Sequence, residues 1–152
     1  KDNNLTKLLK DNINFLGQID KTIKIELKTK SDKVLFNCDK EQLSRVFLNL
    51  IKNSIESIQQ KSEKEAYFDK KILIEISNIN EHIKVVFVDN GIGFDELKNT
   101  KNIKDILNPY FTTKKNGTGL GLSIVNKIIN DHNGELKFYS ISDGAKVEIN
   151  FK

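Results

Sequence analysis

The sequence has little of what several classes of protein depend on. It contains one cysteine, Cys38, so a disulfide framework and a multi-cysteine metal site are excluded, and a reducing compartment is the simplest fit. No apolar run approaches the roughly 20 residues that a membrane-spanning helix needs. We therefore expect a cytoplasmic segment that is not inserted in a membrane. Because the chain begins at Lys1 rather than Met, we expect it to be a piece of a larger protein, and a membrane-anchored parent is compatible with this.

Arginine is almost absent. The 25 basic residues include only one, Arg45, and the lysines are scattered along the chain. A net charge of +4 with a pI near 9.0 could suit nucleic acid, but arginine is the residue that reads bases and clamps phosphates. We interpret the lysine excess as a solvated surface and expect no nucleic-acid partner. With 152 residues, of which 38% are hydrophobic, the composition predicts one globular domain with a real core.

The glycines form neither of the better-known phosphate loops. A Walker loop needs Gly-Lys followed by Ser or Thr, and no Gly-Lys pair occurs. A dinucleotide fingerprint needs a third glycine three positions after the second, where this chain has Glu96 in one cluster and Leu122 in the other. A nucleotide site of either of these two types is therefore excluded.

One glycine cluster follows a strand pattern directly. Residues 83, 85 and 87 share one face of the predicted strand, and Asp89 continues that face at the end of the strand. A buried carboxylate needs a partner, and Gly91 and Gly93 can adopt positive φ and let a ligand approach the main chain. The pattern suits a pocket floor in which Asp89 accepts a hydrogen bond from a planar amine. A plain Asp-Asn-Gly turn between strands is the alternative.

A second cluster, from Asn116 to Leu122, leads into a helical pattern. Its glycines, Gly117, Gly119 and Gly121, therefore lie at a helix N-terminus. The free N–H groups and the dipole of such a terminus favour an anion, and phosphate is the usual one.

Periodicity predicts the remaining elements. Helical spacing of apolar residues predicts helices over 5–16, over 39–60 with Asp39 as the N-cap, and over 119–132. Alternation predicts strands, several of them in hairpins, over 22–29, 33–37, 72–77, 83–89, 135–141 and 145–151. Residues 61–70 look loop-like, and 95–116 form a long polar connection typical of a lid. This order predicts helices packed on one face of a mixed sheet.

The long central helix also carries two asparagines, Asn49 and Asn53, one turn apart at the edge of its apolar stripe. Asparagine is a middling helix former, so such a pair favours a functional role, although coincidence in an Asn-rich chain is the alternative.

Four motifs occur together: Asn49-Leu50-Ile51-Lys52-Asn53, Asp89-x-Gly91-x-Gly93, Pro109-Tyr110-Phe111-Thr112-Thr113-Lys114 and Gly117-Thr118-Gly119-Leu120-Gly121-Leu122. In this order they resemble the ATP-binding catalytic domain of sensor histidine kinases, a family that also holds DNA gyrase, the mismatch-repair ATPase MutL and a heat-shock chaperone. The resemblance covers about residues 20–152. It implies an α+β fold: a two-layer α/β sandwich whose mixed, mostly antiparallel sheet is covered on one face by helices, as in Bergerat-type ATP-binding domains. The residues alone favour a first helix that packs on its own domain. The resemblance implies instead that residues 1–18 are a linker helix from a missing dimerisation domain and that 19–152 form the catalytic domain.

The resemblance assigns the roles. Mg-ATP would be bound, and its γ-phosphoryl group transferred to a histidine on the protein's own dimerisation domain, from which a response regulator receives it. Asn53 would bind Mg²⁺, Asn49 would contact phosphate or metal-bound water, and Lys114 in the lid would reach the phosphates. Asp89 would select adenine. The other nucleotide-binding positions implied are Gly91, Ile92, Gly93, Thr113, Gly117, Thr118, Gly119, Leu120, Gly121 and Leu122.

Two other functions stay open at this point. ATP hydrolases of the gyrase and MutL type place a water-activating Glu at the position of Asn49, and because an amide cannot act as a base, hydrolysis is disfavoured. A regulatory module that binds nucleotide without transfer is opposed by the intact glycines, Asn53 and Lys114. Neither His82 nor His132 has the helical, acid-flanked context of an acceptor, so both are expected to be structural.

The chain also departs from the family pattern. Glu56 stands where many sensor kinases carry Lys, and Leu107 replaces the first aromatic residue usual in the lid motif. The segments 53–58 and 111–114 look most like the nitrogen-regulation branch of these kinases.

Overall fold

The computed structural model describes residues 1–93 and 121–152, and the counts that follow refer to these ranges. The three helices are α1 (Leu5–Leu16), α2 (Lys40–Lys64) and α3 (Gly121–Asp131). The seven strands are β1 (Asp2–Asn4), β2 (Lys24–Thr29), β3 (Leu35–Asn37), β4 (Lys71–Ile79), β5 (His82–Asp89), β6 (Gly134–Ile141) and β7 (Gly144–Phe151). No helix within the described part of the chain is long and apolar enough to cross a bilayer.

Five strands form one sheet in the order β2-β4-β5-β7-β6. β2 runs parallel to β4, and the three other pairs are antiparallel. Along β5 the side chains of Ile83, Val85 and Phe87 are buried, which places them on the face covered by the helices. The predicted fold class, helices on one face of a mixed and mostly antiparallel sheet, is thus confirmed.

Helix α2 lies at the centre of the helical layer. Its N-cap is Asp39, as predicted, whose carboxylate accepts from the Gln42 amide at 3.1 Å. Phe47 packs against Phe87 of the sheet with ring centroids 6.2 Å apart. The predicted end near residue 60 is wrong, because the helix continues to Lys64. Its last turn contains Lys61 and Lys64, which suit the negative end of the helix dipole.

Helix α1 packs into the same core. Its Leu5, Leu9 and Leu16 are buried, and the Asn12 carboxamide accepts from the Ser44 hydroxyl of α2 at 3.2 Å. The N-terminal strand β1 pairs with β3 in a small separate sheet that the sequence patterns did not predict. The assignment of residues 1–18 as a linker remains a prediction, but this segment has tertiary contacts of its own.

Candidate functional site

Asp89 lies at the end of β5, between Ile72 of β4 and Ala145 of β7, and its side chain points into the protein. The residue is 7% exposed, and this burial raises the pKa of its carboxyl to about 6. The Gly91 amide, which donates to Asp89 Oδ1 at 2.9 Å, opposes this rise, as does the Ser54 hydroxyl. The predicted inward direction is confirmed. A carboxylate held at this energetic cost is typical of functional sites.

Residues 89–93 form a turn that packs against α2. The Ile92 amide donates to the Ser57 hydroxyl at 3.0 Å and lies 3.3 Å from the Ser57 carbonyl oxygen. A Cβ on Gly91 would come within 2.6 Å of the Ser57 carbonyl carbon and 2.7 Å of the Ile58 nitrogen. Gly91 is therefore required for the close approach of the turn to α2, and its expected contact with a ligand remains a prediction.

The turn also contacts the hairpin that joins β6 to β7. Gly93 has φ +68°, and a Cβ there would lie 2.5 Å from the Gly144 carbonyl oxygen. Gly144 has φ +136° and packs against the Asp89 carbonyl, so no other residue fits there without a shift of the backbone. Between the predicted strands 135–141 and 145–151, the sequence pattern indicates only a turn for Gly144. Its role in holding Asp89 follows from the tertiary contact alone.

Helix α2 brings the asparagine pair towards this turn. Asn49 and Asn53 are both half-buried, and Ser57, which touches the turn, lies one helical turn beyond Asn53. A helix rises about 1.5 Å per residue, so Asn53 lies roughly 6 Å and Asn49 roughly 12 Å from Ser57 along the helix axis. The spacing suits an elongated ligand with its amine end at Asp89 and its anionic end near the asparagines. Glu56, also half-buried, lies on the same helix.

Helix α2 carries side-chain oxygens of the kind that can bind Mg²⁺. Within residues 1–93 and 121–152, no cluster of three His, Cys, Asp or Glu could hold a metal ion. Mg²⁺ usually keeps several waters and takes only one or two protein oxygens besides those of substrate phosphates. The carboxamide oxygen of Asn53 is a donor of this kind, so the residue fits the predicted role.

The second glycine cluster is described only at its end. Gly121 begins α3, and among the described residues none has an atom within 4 Å of where its Cβ would lie. Leu122 packs against the core. The other predicted positions lie outside the described residues: Leu107, the lid motif with Thr113 and Lys114, and Gly117, Thr118, Gly119 and Leu120.

The two histidines differ in their surroundings. His132 Nε2 accepts from the Asp39 amide at 3.1 Å, and its Nδ1 lies 2.8 Å from the Ile128 carbonyl oxygen. This ring therefore connects the end of α3 to the cap of α2, which supports a structural role. His82 is exposed at the start of β5.

Residues 38–152 match the family described as histidine kinase-, DNA gyrase B-, and HSP90-like ATPases. Sporulation kinase E of Bacillus subtilis is 30% identical over 90% of this chain and 17% of its own length. A putative sensor histidine kinase of Rickettsia felis, NtrY-like, is 32% identical over 95% of this chain and 21% of its own. Sensor histidine kinase ZraS of Salmonella typhimurium is 32% identical over 95% of this chain and 29% of its own. The chain thus spans less than a third of these relatives.

Solved structures agree with the fold. The catalytic domain of histidine kinase ThkA superposes with a TM-score of 0.82 at 26% identity, covering 99% of this chain and 93% of that one. A ThkA structure in complex with the response regulator TrrA gives a TM-score of 0.78 at 24% identity, covering 99% of this chain and 41% of that one.

Proposed function

We propose that this chain, which belongs to the family of histidine kinase-, DNA gyrase B- and HSP90-like ATPases, binds Mg-ATP and phosphorylates a histidine on a separate dimerisation domain. It is a histidine kinase-type ATPase domain, since its curated relatives are named as sensor kinases and the structures it matches are histidine kinase catalytic domains. The finer proposal adds the direction of phosphoryl transfer, the magnesium ion and the partners.

The buried Asp89 carboxylate is the observation that carries the proposal. At pH 7 a carboxyl with a pKa of about 6 is mostly ionised and can accept a hydrogen bond from the exocyclic amine of adenine. Guanine carries a carbonyl oxygen at that position, which Asp89 would repel. The carboxylate thus supports selection of ATP over GTP.

Phosphoryl transfer needs positioning and charge neutralisation more than covalent catalysis by the protein. The bond between the γ-phosphorus and its bridging oxygen breaks, ADP leaves, and an imidazole nitrogen of the acceptor histidine forms the new bond to phosphorus. Mg²⁺, when bound, would neutralise phosphate charge, and Asn53 would hold it while Asn49 contacts phosphate or a metal-bound water. The N-terminus of α3 would attract phosphate through its main-chain N–H groups and the positive end of the helix dipole.

The test is the fate of γ-labelled ATP incubated with the chain and Mg²⁺, alone and then with a separately purified phosphoacceptor domain of a related sensor kinase. We expect label only on the added domain, and the same result for the variants His82→Ala and His132→Ala. Passing the label from that domain to a response regulator would extend the result to the proposed partner. Absence of label on the acceptor, with ATP bound, would contradict the proposal.

Hydrolysis is disfavoured by the residue at position 49 of α2. Asn49 occupies the position of the base in the hydrolytic relatives, and an amide cannot take a proton from water. Free phosphate released by the chain alone at a rate above that of ATP in buffer would favour the hydrolase instead.

A further inference from the structure

Lys61 is a cation held against the turn of residues 89–93. It lies on α2 one turn beyond Ser57, and its side chain is only 18% exposed. Its Nζ donates to the Asn90 carbonyl oxygen at 3.0 Å and lies 4.5 Å from the centre of the Phe68 ring. The Asp143 carboxylate, itself well exposed, lies 4.0 Å away. A lysine this buried loses hydration, so its contacts must replace the lost water.

Asn90, which Lys61 contacts, is itself fixed by main-chain bonds. Its Oδ1 accepts from the Lys71 amide at 2.9 Å, and its Nδ2 donates to the Asp69 carbonyl oxygen. Helix α2 therefore holds the turn at two points one helical turn apart: Lys61 contacts Asn90, directly after Asp89, and Ser57 contacts Ile92, two residues further on. Of these two contacts, only the one from Lys61 brings a charge.

The charge of Lys61 acts on Asp89 as well. Burial raises the pKa of the Asp89 carboxyl to about 6, and the Lys61 ammonium opposes that rise. On the elements packed around Asp89, the charged residues that lie nearest in sequence to the contacts of Asp89 and its turn include Lys61 and Glu56 on α2, Lys71 on β4, Lys146 on β7, Asp69 before β4 and Asp143 between β6 and β7.

We propose that Lys61 is a positioning residue of the nucleotide site, which holds the main chain at Asn90 and thereby fixes the neighbouring Asp89 carboxylate in the position that receives the amine of the base. This inference rests on the proposed function. Lys61 does not touch the base in this role but acts through Asp89. A lysine that only attached the segment before β4 to α2 would affect folding and leave the pH dependence of binding unchanged.

The experiment is a calorimetric titration with ADP, without acceptor domain, at pH values from about 5 to 8. For the wild type we expect affinity to fall as pH drops through the Asp89 pKa of about 6. In Lys61→Met the midpoint should move to higher pH, and affinity at pH 7 should fall about threefold to tenfold. Lys61→Arg, which keeps the charge, should preserve the midpoint.

Two further variants sharpen the comparison. Lys40→Met removes an exposed lysine at the far end of α2 and should leave the affinity and the midpoint unchanged. Lys61→Gln keeps a donor for the Asn90 carbonyl without the charge, so its midpoint should shift like that of Lys61→Met. It also carries the test if the methionine variant does not fold, as judged by circular dichroism.

The outcomes separate the two proposals. If wild-type protein binds no ADP at any pH, the proposed function is wrong and this inference with it. If wild type binds and a folded neutral variant keeps the wild-type midpoint, the inference alone is wrong. A loss of affinity that is uniform across pH, or failure of both neutral variants to fold, would make Lys61 a purely structural residue and overturn it as well.

Discussion

Replacing Asp89 with Asn is expected to stabilise the protein near pH 7 while removing its ability to select adenine. The change keeps the shape of the side chain and an oxygen to accept from the Gly91 amide. It removes a negative charge that is buried at the end of β5, with the residue 7% exposed. Stability and binding should therefore change in opposite directions, which an ordinary core mutation would not produce.

The size of the expected stability change follows from the pKa of Asp89. Burial raises the Asp89 pKa from 3.8 to about 6, so the folded state holds the proton more tightly than the unfolded chain does. Through this group, wild-type stability is highest at low pH, falls as pH rises from about 4 to about 6, and is level above that. At about 1.4 kcal/mol per pH unit the penalty at pH 7 is on the order of 3 kcal/mol. A new amide N–H without a good acceptor costs the variant about 1 kcal/mol or more.

Urea unfolding of wild type and Asp89→Asn at pH 4 and pH 7 measures the effect. The free energy of unfolding of the variant relative to wild type should rise by about 2 to 3 kcal/mol between the two pH values. Asp11→Asn is the matched control, because Asp11 is half-exposed in an ion pair with Lys7. The free energy of unfolding of this control relative to wild type should change by less than about 0.5 kcal/mol between the two pH values. ADP binding at pH 7 should drop by at least about tenfold in Asp89→Asn only.

Two results would refute this reasoning. If the difference in stability between wild type and Asp89→Asn does not change between pH 4 and pH 7, burial does not destabilise the ionised carboxylate. Unchanged ADP affinity in a folded variant would remove Asp89 from the nucleotide site.

Four further substitutions have defined outcomes. Gly91→Ala should lower the free energy of unfolding by about 2 to 4 kcal/mol in urea titrations, since its Cβ would lie 2.6 Å from the Ser57 carbonyl carbon. Gly121→Ala, whose Cβ would meet no described residue within 4 Å, should be neutral or stabilise by up to about 1 kcal/mol; equal losses in both variants would contradict the packing role of Gly91. Gly144→Ala should destabilise by a similar few kcal/mol, because its φ is +136°, and wild-type stability there would mean that the hairpin can shift freely. Asn53→Ala should weaken Mg²⁺-dependent ATP binding about tenfold to a hundredfold, measured with and without EDTA, and an unchanged metal dependence would place the cation elsewhere.

Local patterns were sufficient for the parts of the site that depend on one element. The inward direction of Asp89 follows from alternation along β5, because successive strand residues face opposite sides. The placement of Asn49 and Asn53 on one edge of α2 follows from the helical period. The Asp39 cap and the hairpin of β6 and β7 were predicted for the same reason, since each depends on neighbours within a few residues.

Contacts between distant segments could not be predicted this way. The end of α2 was misplaced because Lys, Ser and Glu after residue 60 look loop-like, while in the fold Ile58 is buried and Lys61 is held by Asn90 and Phe68. The contact made by Ser57 could not be predicted from the sequence, since one serine on a helix carries no pattern. Its contact with Ile92 joins residues 35 apart.

The sequence by itself determined the family, the types of the main helices and strands, and the faces of these elements on which the candidate site residues lie. These depend on residue identity and on the periods of helix and strand. Only the tertiary structure decided that β2 pairs parallel with β4, that Gly144 packs behind Asp89, and that α2 holds the turn through Ser57 and Lys61. Those features arise from close packing between segments far apart in the chain, where the fit of one surface against another selects the contact.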